Sequence, residues 1–512
     1  ELRYANTETD TPDVRIDYTY DAEGRLTSYD DSITRGTFSY DELGRKIHEE
    51  INYGEFTASH GYSFYGNSNK ESFTTTTGAQ YDYQYDSANR LQAITLPNAQ
   101  RVTYNSYTWM APDKVTYPGG NTTKCLYDPL LRISAITSTD FTQNTILNYT
   151  YQYDVVGNIE QKATEHGVYS YGYDALDRLT SAVNPTLEDE AYTYDPLGNR
   201  LTSAATNSTW QYNLNNQLLG YDSTTFSYDE NGSLNNQMEN GVYREYRYNI
   251  DNRLTNVIEN NQELASYYHD PLGRRLWQQV NGVKTYYQYA DEGLIAELDE
   301  QGRVIKSYGF RPDSLWTTAP IYQEINNEYF WYLNDHLGTP QKLITQLGNQ
   351  SWAAQMTAFG VTNVVTEQIT NNLRLPGQYA HSETGQYYNY QRNYSPLPGR
   401  YNEIDPFGLN GGINFYLYAR NNPQVFIDPT GEFVPALVGL IGAYGRGVGL
   451  NLALQALDNL LNGRPVFNPD CYDWPEALKA GIPPAFAAPF KKISPIAGYG
   501  AQQAMGGIVN NL

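Results

Sequence analysis

Short runs along the first 300 residues place aromatic rings at every second position, with polar residues between them. Examples are Tyr18-Thr19-Tyr20, Tyr83-Gln84-Tyr85, Tyr151-Gln152-Tyr153, Tyr171-Gly172-Tyr173 and Tyr192-Thr193-Tyr194. A period of two puts both rings on one face of a β-strand. Each run stops at Asp-x-x-Gly-Arg or a close variant, such as Asp21-Ala22-Glu23-Gly24-Arg25 and Asp41-Glu42-Leu43-Gly44-Arg45. This is turn chemistry: the Asp carboxylate bonds the backbone just downstream, and Gly takes positive φ. A Leu or Ile then opens the returning strand. The unit is therefore a hairpin.

About a dozen copies follow one another at a step of roughly twenty residues, between Tyr18 and Ile295, with degenerate copies expected around Tyr65 and Tyr104. One such hairpin cannot bury its own face, whereas a stack of them in a continuous sheet can. The step is half that of a propeller blade and no Trp-Asp signature accompanies it, which argues against a propeller. The expected fold class is mainly β: a spiralling sheet of hairpins.

Composition agrees. The 512 residues hold 49 Tyr beside 16 Phe and 7 Trp, an excess that favours pleated, half-buried surface. The net charge of −23 argues against nucleic acid or an anionic membrane as partner of the repeat region. Two cysteines, Cys125 and Cys471, cannot make a disulfide framework. The chain opens on Glu1 with no charged-then-apolar leader, so it shows no Sec-type signal and reads as trimmed or partial.

The repeat resembles the YD repeat of the RHS family, which includes the C components of Tc insecticidal toxins and, more distantly, the teneurins. The resemblance runs over roughly residues 15–432. It continues past the repeats in Asn334-Asp335-His336-Leu337-Gly338-Thr339-Pro340, Arg374–Tyr379, Glu383–Tyr394, Gly399-Arg400-Tyr401, Asp405-Pro406-Phe407-Gly408-Leu409, Gly411–Tyr418, Asn421-Asn422-Pro423 and Asp428-Pro429-Thr430-Gly431-Glu432. That series is similar to the RHS repeat-associated core. The resemblance implies three parts: a hollow repeat shell at 1–330, a core closing it at 331–432, and a C-terminal cargo or pre-toxin remnant at 433–512. It also implies a core that acts once, in cis, as an aspartyl autoprotease. The catalytic aspartate then falls on Asp405, its arginine on Arg392, and the cut between Glu432 and Phe433. Asp428 is the candidate second carboxylate, since two carboxylates that share a proton separate into an acid and a base. Two residues depart from the family pattern. Glu432 stands where Leu or Met is usual, and Gly411 stands where some relatives carry an aspartate.

After Glu432 the composition changes. Residues 433–512 carry five cations against four carboxylates, so the acidic charge belongs to residues 1–432. The stretch 433–461 is apolar and rich in Gly and Ala, and its end, 451–461, has the stripe of a helix. The apolar run suggests either insertion into a membrane or packing inside the shell. All six histidines precede residue 433, which leaves no His-dependent nuclease or His–metal site in the tail. No cofactor and no metal is expected. His336 beside Asp335, and the recurrent Asp–Arg pairs, read as turn structure.

The functional expectation is a secreted or cell-surface bacterial polymorphic-toxin shell. Its partners would be its own C-terminal segment and a secretion-system or toxin-complex component. The alternative is a non-catalytic adhesion scaffold whose exposed Tyr rows stack on surface glycans.

Overall fold

The computed structural model describes residues 2–5 and 12–432. Phe433, the helix expected at 451–461 and the apolar tail lie outside the described residues. Among those described, secondary structure is antiparallel β-strand with two short 3-10 turns and no α-helix. Successive strands pair with their sequence neighbours. Nineteen form one sheet from Leu2–Ala5 to Arg200–Ser203, and sixteen form a second from Gln211–Tyr212 to Thr362–Glu367. Four short strands between Tyr379 and Tyr401 form a third.

Each hairpin closes as the repeat dictates. In the first, Asp21 Oδ1 accepts the amides of Glu23 (3.1 Å) and Arg25 (2.8 Å), and Oδ2 accepts Arg25 Nε at 2.6 Å. Gly24 sits at φ +79°, and the register slips by one residue beside the turn. That is a type I turn closed by a left-handed residue and a bulge. Further turns fall at Tyr65–Asn69 and Tyr117–Asn121; around Tyr104 the copy is carried by Tyr107, which lies under Arg90 and donates to Leu91 O before the strand Arg101–Thr108 turns back into Ala111–Thr116.

The Arg and Tyr of neighbouring units then clasp. The guanidinium of Arg25 lies 5.0 Å from the Tyr40 ring centroid, Arg132 lies 4.2 Å from Tyr153, and Arg178 lies 4.9 Å from Tyr194. The same tyrosines donate their hydroxyls back to the first residue of the previous returning strand: Tyr40 to Leu26 O (2.8 Å), Tyr153 to Ile133 O (2.7 Å) and Tyr194 to Leu179 O (2.6 Å). Each clasp adds about 1 kcal/mol of hydrogen bond and a comparable cation–π contribution, repeated along the wall.

This arrangement corrects one expectation. The tyrosines do not form an exposed row for stacking on glycans. Among the residues whose burial is described, the exposed tyrosines are Tyr20, at 60%, and Tyr65, at 38%. The remaining rings are wholly or partly buried between units, and many of their hydroxyls are spent on neighbouring carbonyls.

The second sheet lies back along the first. Tyr53 donates to Tyr287 O (2.9 Å), Gln288 to Ser59 O (3.1 Å) and Lys342 to Ile146 O (2.7 Å). Tyr29, Phe38, Ile51 and Tyr53 share one buried cluster with Leu276, Tyr286 and Leu298. Charges are buried in this seam. Arg274 bridges Asp270 (2.8 Å) and Glu49 (2.5 Å), and Lys46 joins Glu49 (2.6 Å) to Asp291 (2.8 Å). Burial pushes the Glu49 carboxyl up, but Arg274 and Lys46 outweigh it and hold it at about 2.

Glu49→Gln leaves Arg274 short of one buried counter-charge and should destabilise the fold by about 3–5 kcal/mol at neutral pH, read by thermal or chemical unfolding. The folded pKa lies below the ordinary 4.5, so the contribution is complete above that pH and disappears as pH falls toward 2. The gap between variant and parent should narrow over that interval.

Candidate active site

The core docks onto the wall through asparagines. Two of the turns that end in Asn rather than Arg meet the core: Asp154–Asn158 and Asp195–Asn199. The shorter side chain holds its own Asp (2.9 and 2.8 Å) but leaves room and hydrogen-bonding capacity for the core. Asn422 Nδ2 donates to Asn158 Oδ1 (2.8 Å) and to Asp177 O (2.9 Å). Asn414 Nδ2 donates to Asn199 Oδ1 (2.7 Å), and Asn421 Nδ2 to Gly198 O (2.8 Å). Buried Tyr394, Tyr401 and Tyr418 pack together beneath this contact.

On that base, three of the residues singled out in the sequence meet. Arg392 begins the strand Arg392–Ser395, and its guanidinium lies 3.6 Å from the Tyr401 ring centroid. Its Nη2 reaches both Asp405 Oδ2 (3.0 Å) and Asp428 Oδ2 (3.3 Å). Its Nη1 donates to Phe415 O (2.8 Å) and its Nε to Gly431 O (2.5 Å). One side chain thus holds both carboxylates and the backbone just before Glu432. The three are 2%, 7% and 1% exposed for Arg392, Asp405 and Asp428, so these interactions act with little solvent screening.

The two carboxylates are held differently. Asp405 accepts the Phe407 amide at 2.9 Å, as its Asp-Pro turn requires. Asp428 accepts the Tyr401 hydroxyl (2.8 Å) and the Glu432 amide (3.1 Å). Asn389 supports this from behind, donating to Tyr401 Oη and to Asp428 O, each at 2.8 Å. Gly431 sits at φ +69°, and a Cβ there would overlap Asn389 O, so the chain passes this point only as glycine. Burial pushes both carboxyls above the ordinary range, while Arg392 opposes it. Two carboxylates facing one guanidinium leave one excess negative charge in a buried site, and retaining a single proton removes it.

Glu432, the residue before the expected cut, is half-buried beside them. Burial raises its carboxyl; Arg253 and Arg392 oppose that, and Asp428 and Asp405 reinforce it. Its partner across the bond, Phe433, lies outside the described residues. Gly411 packs against Asp405, and a Cβ there would overlap the carboxylate, so position 411 could not hold a second carboxylate in this arrangement.

Sequence reading missed Tyr401 and Asn389, although both lie in stretches that carried the family pattern. It also missed Glu403, whose carboxylate accepts Asn393 N (2.7 Å) and Nδ2 (2.9 Å). Burial raises Glu403 to about 7, against the hydrogen bonds from Asn393. Other candidates are inert. His336 is buried, bonds Gln424 O at 2.8 Å and packs on Tyr151, and burial pushes the Cys125 thiol up to about 12. Among the described residues no His, Cys, Asp and Glu cluster could hold a metal ion.

The hairpin wall with its docked core defines a YD-repeat shell protein. The chain matches the Teneurin YD-shell family over residues 6–127 and 122–376, and it belongs to that family. It is 30% identical over 334 residues to a double-stranded DNA deaminase toxin A of Burkholderia cenocepacia, covering 58% of this chain and 22% of that protein. It is 31% identical over 279 residues to the tRNA3(Ser)-specific nuclease WapA of Bacillus spizizenii, covering 50% and 12%. The chain therefore spans under a quarter of the length of these relatives. The crystal structure of TcdB2-TccC3-TEV shares the fold, with a TM-score of 0.67 at 16% identity over 81% of this chain and 25% of that one.

Glu403 gives a pH signature. Its folded pKa of about 7 lies above the ordinary 4.5, so its contribution to stability is full below 4.5 and is lost as pH rises through 7. The loss should approach about 3 kcal/mol, and Glu403→Gln should flatten it in unfolding measured from pH 4.5 to 8.

Proposed function

We propose that this chain is an encapsulating shell of the polymorphic-toxin type, which encloses its own C-terminal segment and cuts that segment free after Glu432. The observation that carries the reading is the triple grip of Arg392 on Asp405, Asp428 and the Gly431 carbonyl. Catalytic carboxylates and substrate backbone are fixed to one cation, which supplies orientation before any chemistry begins. Asp428 is saturated with donors and suits the ionised form, in which it holds the Glu432 amide. Asp405, with fewer partners, exchanges protons with water and substrate.

In the step itself, water adds to the Glu432 carbonyl while a carboxylate of the pair takes its proton. The carbon–nitrogen bond to Phe433 then breaks as the protonated partner supplies the amide nitrogen. The products are a carboxyl terminus at Glu432 and an amine at Phe433. The peptide acts on itself, so one turnover suffices.

Enclosure separates the segment from the cell that makes it. The relatives named as a deaminase toxin and a nuclease support a C-terminal effector, and the likeness to TcdB2-TccC3-TEV supports a toxin-complex or secretion-system partner and an extracellular destination. A second reading, a scaffold with an inactive core, is favoured by one feature: the Arg392–Asp428 pair also serves as a buried anchor for the end of the core.

Intact mass under denaturing conditions separates the two. Cleavage yields two fragments parting between Glu432 and Phe433, and Asp405→Asn yields one 58.0 kDa chain with the fold retained. A parent chain that stays whole supports the scaffold, and a cut that persists in Asp405→Asn removes the mechanism.

A further inference from the structure

Glu432 is one of two residues of the core that depart from the family pattern, and one turn of the wall keeps the arginine of the repeat without its aspartate. Seven described turns end in Arg and open with Asp, and in each the Arg Nε donates to that Asp, at 2.6–2.8 Å. The turn Asn249–Arg253 is different. Asn249 accepts the Arg253 amide at 2.9 Å, as an Asp would, but offers no carboxylate to the guanidinium. Arg253 Nε is buried without a hydrogen-bond partner, and no ion pair to Arg253 forms among the described residues. Released from its own turn, the side chain reaches the core and donates from Nη1 to Gln391 O at 2.6 Å. Gln391 N in turn donates to Thr430 O at 3.1 Å. Arg253 therefore stands at the turn, between the strands Tyr387–Asn389 and Arg392–Ser395, that holds Thr430, and its charge acts on the carboxyl of Glu432. The other cation acting there, Arg392, is already committed to Asp405 and Asp428.

We propose that Arg253, supplied by the shell wall, is the specificity-determining residue that accepts a glutamate immediately before the cut. It would neutralise the Glu432 side chain, which otherwise brings a third carboxylate beside Asp405 and Asp428. The two departures compensate: Asn249 for Asp frees a guanidinium, and Glu432 for an apolar residue uses it. A consequence is that the core cuts this bond only when docked on the wall that carries Arg253. The inference rests on the self-cleavage reading but concerns a residue outside its chemistry, so Arg253 acts by positioning and charge.

The test uses the full chain and follows the first-order appearance of fragments by intact mass. Removing the one cation that acts on Glu432 without a carboxylate of its own should slow cutting about tenfold or more in Arg253→Gln. The same change in a Glu432→Leu chain should alter the rate less than about twofold, and Arg253→Lys should recover part of the lost rate. Equal slowing in both backgrounds, or none in either, overturns the inference. If Glu432→Leu is cut but the parent is not, Arg253 fails to accommodate Glu432 and the inference falls, while the self-cleavage reading stands. If neither is cut, that reading fails by itself, and the pairing is judged without it. In Asp405→Asn chains, a double-mutant cycle of Arg253→Gln and Glu432→Gln on the thermal midpoint should be non-additive, and additivity overturns the pairing.

Discussion

The clasp between one hairpin's arginine and the next hairpin's tyrosine is the interaction on which the rest of this structure depends. A lone hairpin is marginal in water, and a long sheet of hairpins needs each join to hold in register. The repeat meets both needs with three side chains. Asp closes the turn and fixes the Arg, the Arg lies over the following Tyr, and that Tyr hydroxyl returns to the carbonyl of the preceding strand. Register is set locally, unit by unit, so the wall can be long without any distant contact to align it. The rings that a sequence reader would offer to ligands are consumed in building the wall.

Function enters where the clasp is broken. Asn158 and Asn199 replace the arginine, and the core inserts Asn422 and Asn414 into the spaces thus opened. Asn249 replaces the aspartate, and Arg253 leaves the turn for the core. A regular repeat thereby becomes addressable, because each exception presents a polar group that its neighbours keep satisfied. These polar contacts add position to an apolar interface in which Leu373, Tyr379 and Tyr388 of the core share one buried cluster with Tyr287, Tyr289 and Leu294 of the wall.

Much of this was legible in the residues. Alternating Tyr and the Asp-x-x-Gly-Arg turn specify a hairpin because both are local rules, and stacking follows from the need to bury the faces. The meeting of Arg392, Asp405 and Asp428 was legible only through family resemblance, since nothing in their spacing brings them together. What stayed hidden depends on contacts between distant parts of the chain. The buried seam of Glu49, Lys46 and Arg274 joins strands more than two hundred residues apart. Glu403 carries no sequence signal, because its raised pKa comes from burial that the core creates. The tyrosines misled a reading for exposed stacking surface because an aromatic alternation shows which face a ring takes, not what covers it.

A charge count joins these observations into one constraint on the core. Arg392 faces Asp405 and Asp428 in a buried space, and Glu432 adds a third carboxyl at its edge. One guanidinium cannot keep three carboxylates ionised against the cost of leaving water. Either protons are retained or another cation is brought in. Under the proposed self-cleavage, retaining one proton would supply the acid that a leaving amide nitrogen requires. Retaining two would leave no base. The third carboxylate therefore needs a counter-charge from elsewhere, and the cation whose charge acts on it without a carboxylate of its own, Arg253, comes from the wall. On the proposed self-cleavage reading the shell is more than a container: Arg253, the turn arginine without its aspartate, sets the charge balance under which the core docked on the wall would act.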